Sequence, residues 1–88
     1  MAILQYTESA LKDLKKLERK VALRIVNKVK QESEKDDPLR GAKALRGVLA
    51  GFYWYRVGDY RVIFEIGEDN KITILTVLRI KHRKDVYK

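Results

Sequence analysis

The chain has 88 residues, with 20 Lys+Arg against 12 Asp+Glu for a net charge of +8, 45% apolar residues, one histidine and no cysteine. This fits a single small globular domain over residues 1–88: the chain is too apolar for a disordered tail, lacks thiols for a disulfide or thiolate metal site, and has too few histidines to build a zinc site from them. No apolar run is of membrane-spanning length and residues 1–14 do not read as a secretory leader, so a cytoplasmic protein with no membrane contact, metal or cofactor is expected.

Residues 3–6 predict a short first strand. Thr7 is placed to cap a helix, with Glu8 in its first turn. Ala10, Leu11, Leu14 and Leu17 recur at helical spacing, so an amphipathic helix is predicted over 8–18. A second helix is predicted over 20–34 on the apolar stripe Val21, Ala22, Ile25, Val26 and Val29. With almost no loop between them, the two form an antiparallel hairpin. Pro38 ends the second helix, since the residue before proline avoids the helical region. Residues 36–51 read as a linker carrying Arg40, Lys43 and Arg46 at three-residue spacing.

From Phe52 the hydrophobic period changes to two, and strands are predicted over 52–57, 60–66 and 71–80. Gly58-Asp59 is a two-residue turn with glycine first. Glu68-Asp69-Asn70 suits a three-residue turn, with Asn70 in the left-handed position. Residues 81–88 form a polar basic tail. The predicted order is β-α-α-β-β-β, an α+β domain with a helical hairpin packed on one face of a mainly antiparallel sheet.

Charge is uneven along this order. Residues 1–37 hold nine basic and seven acidic side chains, net +2, whereas residues 38–88 hold eleven and five, net +6. A clustered basic surface attracts polyanions by releasing their counterions.

The Gly58-Asp59 turn fixes a register in which Val57 faces Tyr60, Arg56 faces Arg61, Tyr55 faces Val62 and Tyr53 faces Phe64. Tyr53, Tyr55, Val57, Tyr60, Val62, Phe64 and Ile66 then form the core face. Phe52, Trp54, Arg56, Arg61, Ile63 and Glu65 form the other. Arg56 and Arg61 become direct cross-strand neighbours, a like-charge pair that destabilises a sheet unless an anion lies between the two or Asp59 or Glu65 neutralises them. With a three-residue second turn, Ile72, Ile74, Leu78 and Ile80 join the core face, and Thr73, Leu75, Val77 and Arg79 the arginine face. Candidate phosphate or RNA contacts are therefore Arg56, Arg79, Lys43 and Arg46. Trp54 can stack a base or pack under the linker against Leu45. In the tail, His82 and Tyr87 are candidates for proton transfer, though Tyr87 could equally anchor the tail by packing.

Three segments carry a family resemblance that covers essentially the whole chain. Tyr55-Arg56-Val57-Gly58-Asp59-Tyr60-Arg61-Val62-Ile63-Phe64, Leu45-Arg46-Gly47, and Ile80-Lys81-His82-Arg83-Lys84-Asp85-Val86-Tyr87, in this order, resemble the RelE/ParE toxin superfamily. The resemblance implies the toxin of a type II toxin–antitoxin system, an endoribonuclease that cuts mRNA in the ribosomal A site, inhibits translation, and is silenced by a cognate antitoxin. It gives Arg61 the scissile phosphate and matches Tyr87 to a tail tyrosine. Lys81 stands where such relatives have an arginine, and Phe52 and Trp54 where they have lysines. Other relatives use a glutamate–histidine pair, to which His82 corresponds in part. The site expected on these grounds is Arg61, Lys81, His82, Arg83 and Tyr87. The alternative within the superfamily is a ParE-like inhibitor of DNA gyrase that catalyses nothing.

Overall fold

A computed structural model describes residues 2–45 and 51–86. The elements run β1 (Ile3–Tyr6), α1 (Glu8–Lys15), α2 (Arg19–Ser33), β2 (Lys43–Ala44), β3 (Phe52–Val57), β4 (Tyr60–Asp69), β5 (Ile72–His82) and the short α3 (Arg83–Val86). The strands form one mixed sheet in the order β1-β5-β4-β3-β2, with β1 parallel to β5 and the other neighbours antiparallel. Helices α1 and α2 pack on the core face of this sheet, so the architecture is α+β as expected. Two short elements add to the expected order: β2 lies within the segment read as linker, and α3 within the basic tail. Among the described residues no helix is long and apolar enough to cross a membrane.

Thr7 begins α1 as its sequence context predicts. Its hydroxyl oxygen accepts from the Ala10 amide at 3.1 Å and the hydroxyl donates to the Leu78 carbonyl at 2.8 Å. One side chain thereby caps the helix and ties it to β5. The helices bring Ala10, Ile25 and Val29 against Val62, Phe64, Leu75 and Val77, all of them fully buried. Tyr55 stacks on Phe64 at 4.4 Å, and its hydroxyl donates to the Pro38 carbonyl, which pins the segment after α2 to the sheet.

The β3–β4 register agrees with the expectation at every position named above, including Arg56 opposite Arg61. The β4–β5 register does not. The turn has two residues, Asn70 and Lys71, both at positive φ (49° and 69°), and Asp69 pairs with Ile72. This is the twist of a type I′ turn, which joins right-twisted strands without splaying them. Leu75 and Val77 consequently lie in the core rather than on the arginine face, and Ile72 is exposed instead of buried. A second irregularity follows. Ile63 pairs with Arg79 but Phe64 with Val77, so Leu78 is an extra residue, a β-bulge. The bulge inverts the alternation once more, which returns Ile80 to the core and puts Lys81 directly beside Arg61.

Asp13 closes the sheet edge that β1 does not reach. Its carboxylate accepts from the Ile80 amide at 2.9 Å and pairs with the Arg79 guanidinium at 2.9 Å. Burial pushes the Asp13 carboxyl upward, but these hydrogen bonds and the charges of Arg79 and Lys81 outweigh it and hold it below the usual carboxylate range. A depressed folded-state value contributes stability above the unfolded carboxyl value of about 3.9, and that stability is lost as pH falls through the folded value. Asp13→Ala is expected to destabilise the domain by about 1–3 kcal/mol, because a buried amide loses its acceptor. The difference between wild type and Asp13→Ala in chemical denaturation should be largest near neutral pH and shrink in acid. A constant difference down to the acid limit would rule out a charged Asp13 as its source.

Candidate active site

Alternation and register bring the basic residues of three strands into one row. Arg56 on β3 faces Arg61 on β4, which faces Lys81 on β5. The neighbouring row, one pleat along the same face, places Lys43 on β2 opposite Trp54 on β3. Three cations side by side repel one another, and the structure gives the two arginines partners that draw them apart. Arg56 Nε donates to the Gly58 carbonyl at 3.3 Å, while the Arg61 guanidinium lies over the Trp54 ring at 4.1 Å. Lys43 Nζ approaches the same ring at 5.3 Å. The indole is thus a platform for two cations, each attracted by its negative face.

The tail closes the row from the far side. The Arg83 amide donates to the Asp59 carbonyl at 2.7 Å, latching the start of α3 to the β3–β4 turn. This carries Arg83 and Lys84 to the rim of a cavity of about 570 Å³, whose wall also includes Lys43, Trp54, Arg56 and Arg61, with Asp59 as its one carboxylate among the lining residues. An open cavity of that size with five cations and a half-buried indole suits a phosphodiester carrying a nucleobase.

His82 stands elsewhere. It pairs with Tyr60, the two rings meeting edge to face at 5.1 Å, and it lines a groove with Asp13, Lys16 and Leu17. Its Nδ1 accepts from the Lys84 amide at 3.2 Å. As the acceptor in that bond, Nδ1 is already engaged by the backbone of the tail. Arg79 is also apart from the cavity, held by two hydrogen bonds to Asp13, which together with the carboxylate's charge push the guanidinium further up from its ordinary value.

Of the residues read from the sequence, the structure gathers Lys43, Arg56, Arg61 and Arg83 around one cavity with Lys81 beside Arg61, and it separates His82 and Arg79 from them. Arg46 and Tyr87 lie outside the described residues. Lys84 is not among the residues read from the sequence, and Trp54, read there as a base-stacking or packing residue, is in addition a platform for cations. The platform was within reach of register alone, since Trp54 and Arg61 are diagonal neighbours on one face and a diagonal spacing is spanned by long side chains. Among the described residues there is no group of three or more His, Cys, Asp or Glu able to hold a metal ion.

Comparison with known proteins shows the family and the fold. Residues 4–87 match the model of the family described as the ParE toxin of type II toxin–antitoxin system, parDE. The chain is 34% identical over 84 residues to Toxin RelG of Mycobacterium tuberculosis, covering 96% of this chain and 93% of the relative. Its fold is similar to a chain in the crystal structure of the toxin–antitoxin complex RelBE2 from Mycobacterium tuberculosis, with a TM-score of 0.74, 33% identity and coverage of 93% and 91% of the two chains. It is also similar to a chain of the RelB–RelE antitoxin–toxin complex from Methanococcus jannaschii, with a TM-score of 0.69, 26% identity and coverage of 96% and 95%.

Proposed function

The chain belongs to the RelE/ParE superfamily of type II toxin–antitoxin toxins, and on that premise we propose that it is a RelE-type, metal-independent endoribonuclease that cuts mRNA on the ribosome in the cytoplasm. The observation that carries this reading is the row Arg56–Arg61–Lys81 with Arg83 brought over it, beside an aromatic platform. RNA supplies its own nucleophile, the 2′-hydroxyl. Cleavage then requires that the hydroxyl lose its proton, that the phosphate's charge be neutralised as it becomes pentacoordinate, and that the departing 5′-oxygen gain a proton. The arginine row serves the second requirement: two guanidiniums and an ammonium donate to the non-bridging oxygens, and Trp54 offers a face for an adjacent base. Proton transfer is assigned to the tail, which carries His82 and Tyr87. Modest acid–base equipment suffices if the ribosome orients the strand, since positioning is worth roughly 7–11 kcal/mol.

A cognate antitoxin is the expected protein partner. The relatives RelBE2 and RelB–RelE are antitoxin–toxin complexes, and a net charge of +8 favours an acidic or amphipathic segment that folds as it wraps the domain. The match to the ParE family supports a second reading, inhibition of DNA gyrase by binding. Toe-printing in a reconstituted translation reaction, run beside a gyrase supercoiling assay, separates the two. Cuts within A-site codons that appear only with ribosomes present, with supercoiling unaffected, are expected. Intact mRNA with arrested supercoiling would replace the nuclease reading with the gyrase one.

A further inference from the structure

The geometry points to a second phosphate-binding track over α2, which takes the continuation of the same RNA strand that crosses the arginine row; this rests on the nuclease reading above. Arg24, Asn27, Lys28 and Gln31 are spaced i, i+3, i+4 and i+7, so they form one stripe along the helix. With Arg56 and Gly58 they line a groove of about 430 Å³ between α2 and the β3–β4 turn. Arg56 and Gly58 belong to both this groove and the arginine cavity, so the two meet over the turn.

Gly58 makes that junction low. Its φ is +60°, and a Cβ built there would lie 3.5 Å from a guanidinium nitrogen of Arg24. Arg24 therefore rests over the turn from the helix side, while Arg56 is held from the sheet side by its bond to the Gly58 carbonyl. Two guanidiniums thus meet at a residue without a side chain, where the groove joins the arginine cavity. Lys28 contributes less charge, because it is paired at 2.9 Å with the buried Glu32 carboxylate. Arg24 forms no ion pair among the described residues. Asn27 and Gln31 add neutral donors and acceptors that suit phosphate oxygens and 2′-hydroxyls alike.

The lining also argues for the class of ligand. A protein segment docks through buried apolar or aromatic anchors, and this groove has Val57 alone, itself already buried in the domain. A charged, polar trough without apolar anchors or carboxylates fits a sugar–phosphate backbone.

The test is binding of 2′-O-methyl RNA, which lacks the nucleophile, as a trinucleotide and as a nonanucleotide, by wild type and Arg24→Ala across a salt series. Arg24 is exposed on a helix and alanine suits that position, so the fold should persist; Lys28 is left in place because it neutralises Glu32. For the nonanucleotide, Arg24→Ala should lower the slope of log affinity against log salt by about 0.7, the loss of one single-strand phosphate contact. Trinucleotide affinity should not change, and native mass spectrometry should show one nonanucleotide per chain. An unchanged nonanucleotide slope would overturn the track. So would an equal loss with the trinucleotide, which would make Arg24 part of the main site, or two strands per chain, which would make the groove a separate site. Weakened capture of a polyglutamate peptide by Arg24→Ala with RNA binding unaltered would assign the groove to an acidic protein and overturn it as well. A wild type that binds neither RNA, or RNA binding with an unchanged slope, would overturn the track, whereas failure of the nuclease reading is read separately, as intact mRNA in toe-printing.

Discussion

Arg61→Ala is expected to lower ribosome-dependent mRNA cleavage by about 10²–10³-fold, the usual loss when one donor to a developing oxyanion is removed. Arg61 is the middle member of the Arg56–Arg61–Lys81 row, so it is the cation nearest both others and the one whose field any phosphate in the cavity must meet. The fold should survive. Removing the guanidinium relieves repulsion from two cross-strand neighbours, each on the order of 0.2–1 kcal/mol. It also loses the contact with the Trp54 ring, about 0.5–1 kcal/mol at an exposed site. These terms oppose each other, and a net change below about 1 kcal/mol moves the thermal midpoint of so small a domain by less than about 8 °C. Arg61→Lys keeps the charge but not the planar fork or the stack, and should fall between wild type and alanine. A purified Arg61→Ala protein with a wild-type midpoint and a wild-type cleavage rate would place the chemistry elsewhere.

That row was legible in the sequence in one half and not in the other, and the difference is physical. The β3–β4 hairpin is set by a two-residue turn that begins with glycine, a local signal that fixes pairing within a few residues. Arg56 opposite Arg61 follows from it directly. The β4–β5 hairpin turns on Asn70-Lys71, where a lysine adopts the left-handed conformation that sequence assigns to glycine or asparagine. The turn is therefore one residue shorter than its composition suggests, and every side chain up to Val77 changes face. The bulge at Leu78 has no local signature either. It is stitched to Thr7, whose amide donates to the Val77 carbonyl at 3.0 Å and whose hydroxyl donates to the Leu78 carbonyl at 2.8 Å, contacts from the other end of the chain. The two one-residue effects cancel beyond the bulge. This is why Ile80 is in the core as expected although Leu75 and Val77 are not on the face expected of them. Arg79 shows a further limit, since its tie to Asp13 depends on how α1 meets the sheet end, which no pattern within β5 reveals; His82 meets Tyr60 through the β4–β5 register that the turn and bulge together set.

Deleting residues 82–88 is expected to reduce cleavage by at least about 10²-fold, the lower end of what general acid–base transfer contributes, while most RNA binding remains. The deletion takes Arg83 and Lys84 from the cavity rim together with the bond from the Arg83 amide to Asp59. It leaves Arg56, Arg61 and Lys81 paired across three strands. The segment holds Arg83, Lys84 and Lys88 against Asp85, a net of +2. The salt slope for single-stranded RNA should therefore fall by no more than about 1.4, two contacts' worth. Single substitutions then separate the tail's two proton-transfer candidates. Asparagine places an acceptor oxygen where His82 has Nδ1, so His82→Asn preserves the bond to the Lys84 amide but moves no proton. Because Nδ1 is already engaged by the Lys84 amide, His82→Asn should keep most of the cleavage that His82→Ala loses, and Tyr87→Phe should be the more damaging change. If His82→Asn and His82→Gln are both inactive while Tyr87→Phe cuts normally, the imidazole itself transfers the proton and must release Lys84 to do so. A chain ending at Lys81 that cuts ribosome-bound mRNA at full rate would remove the tail from the chemistry and leave the arginine row to act alone.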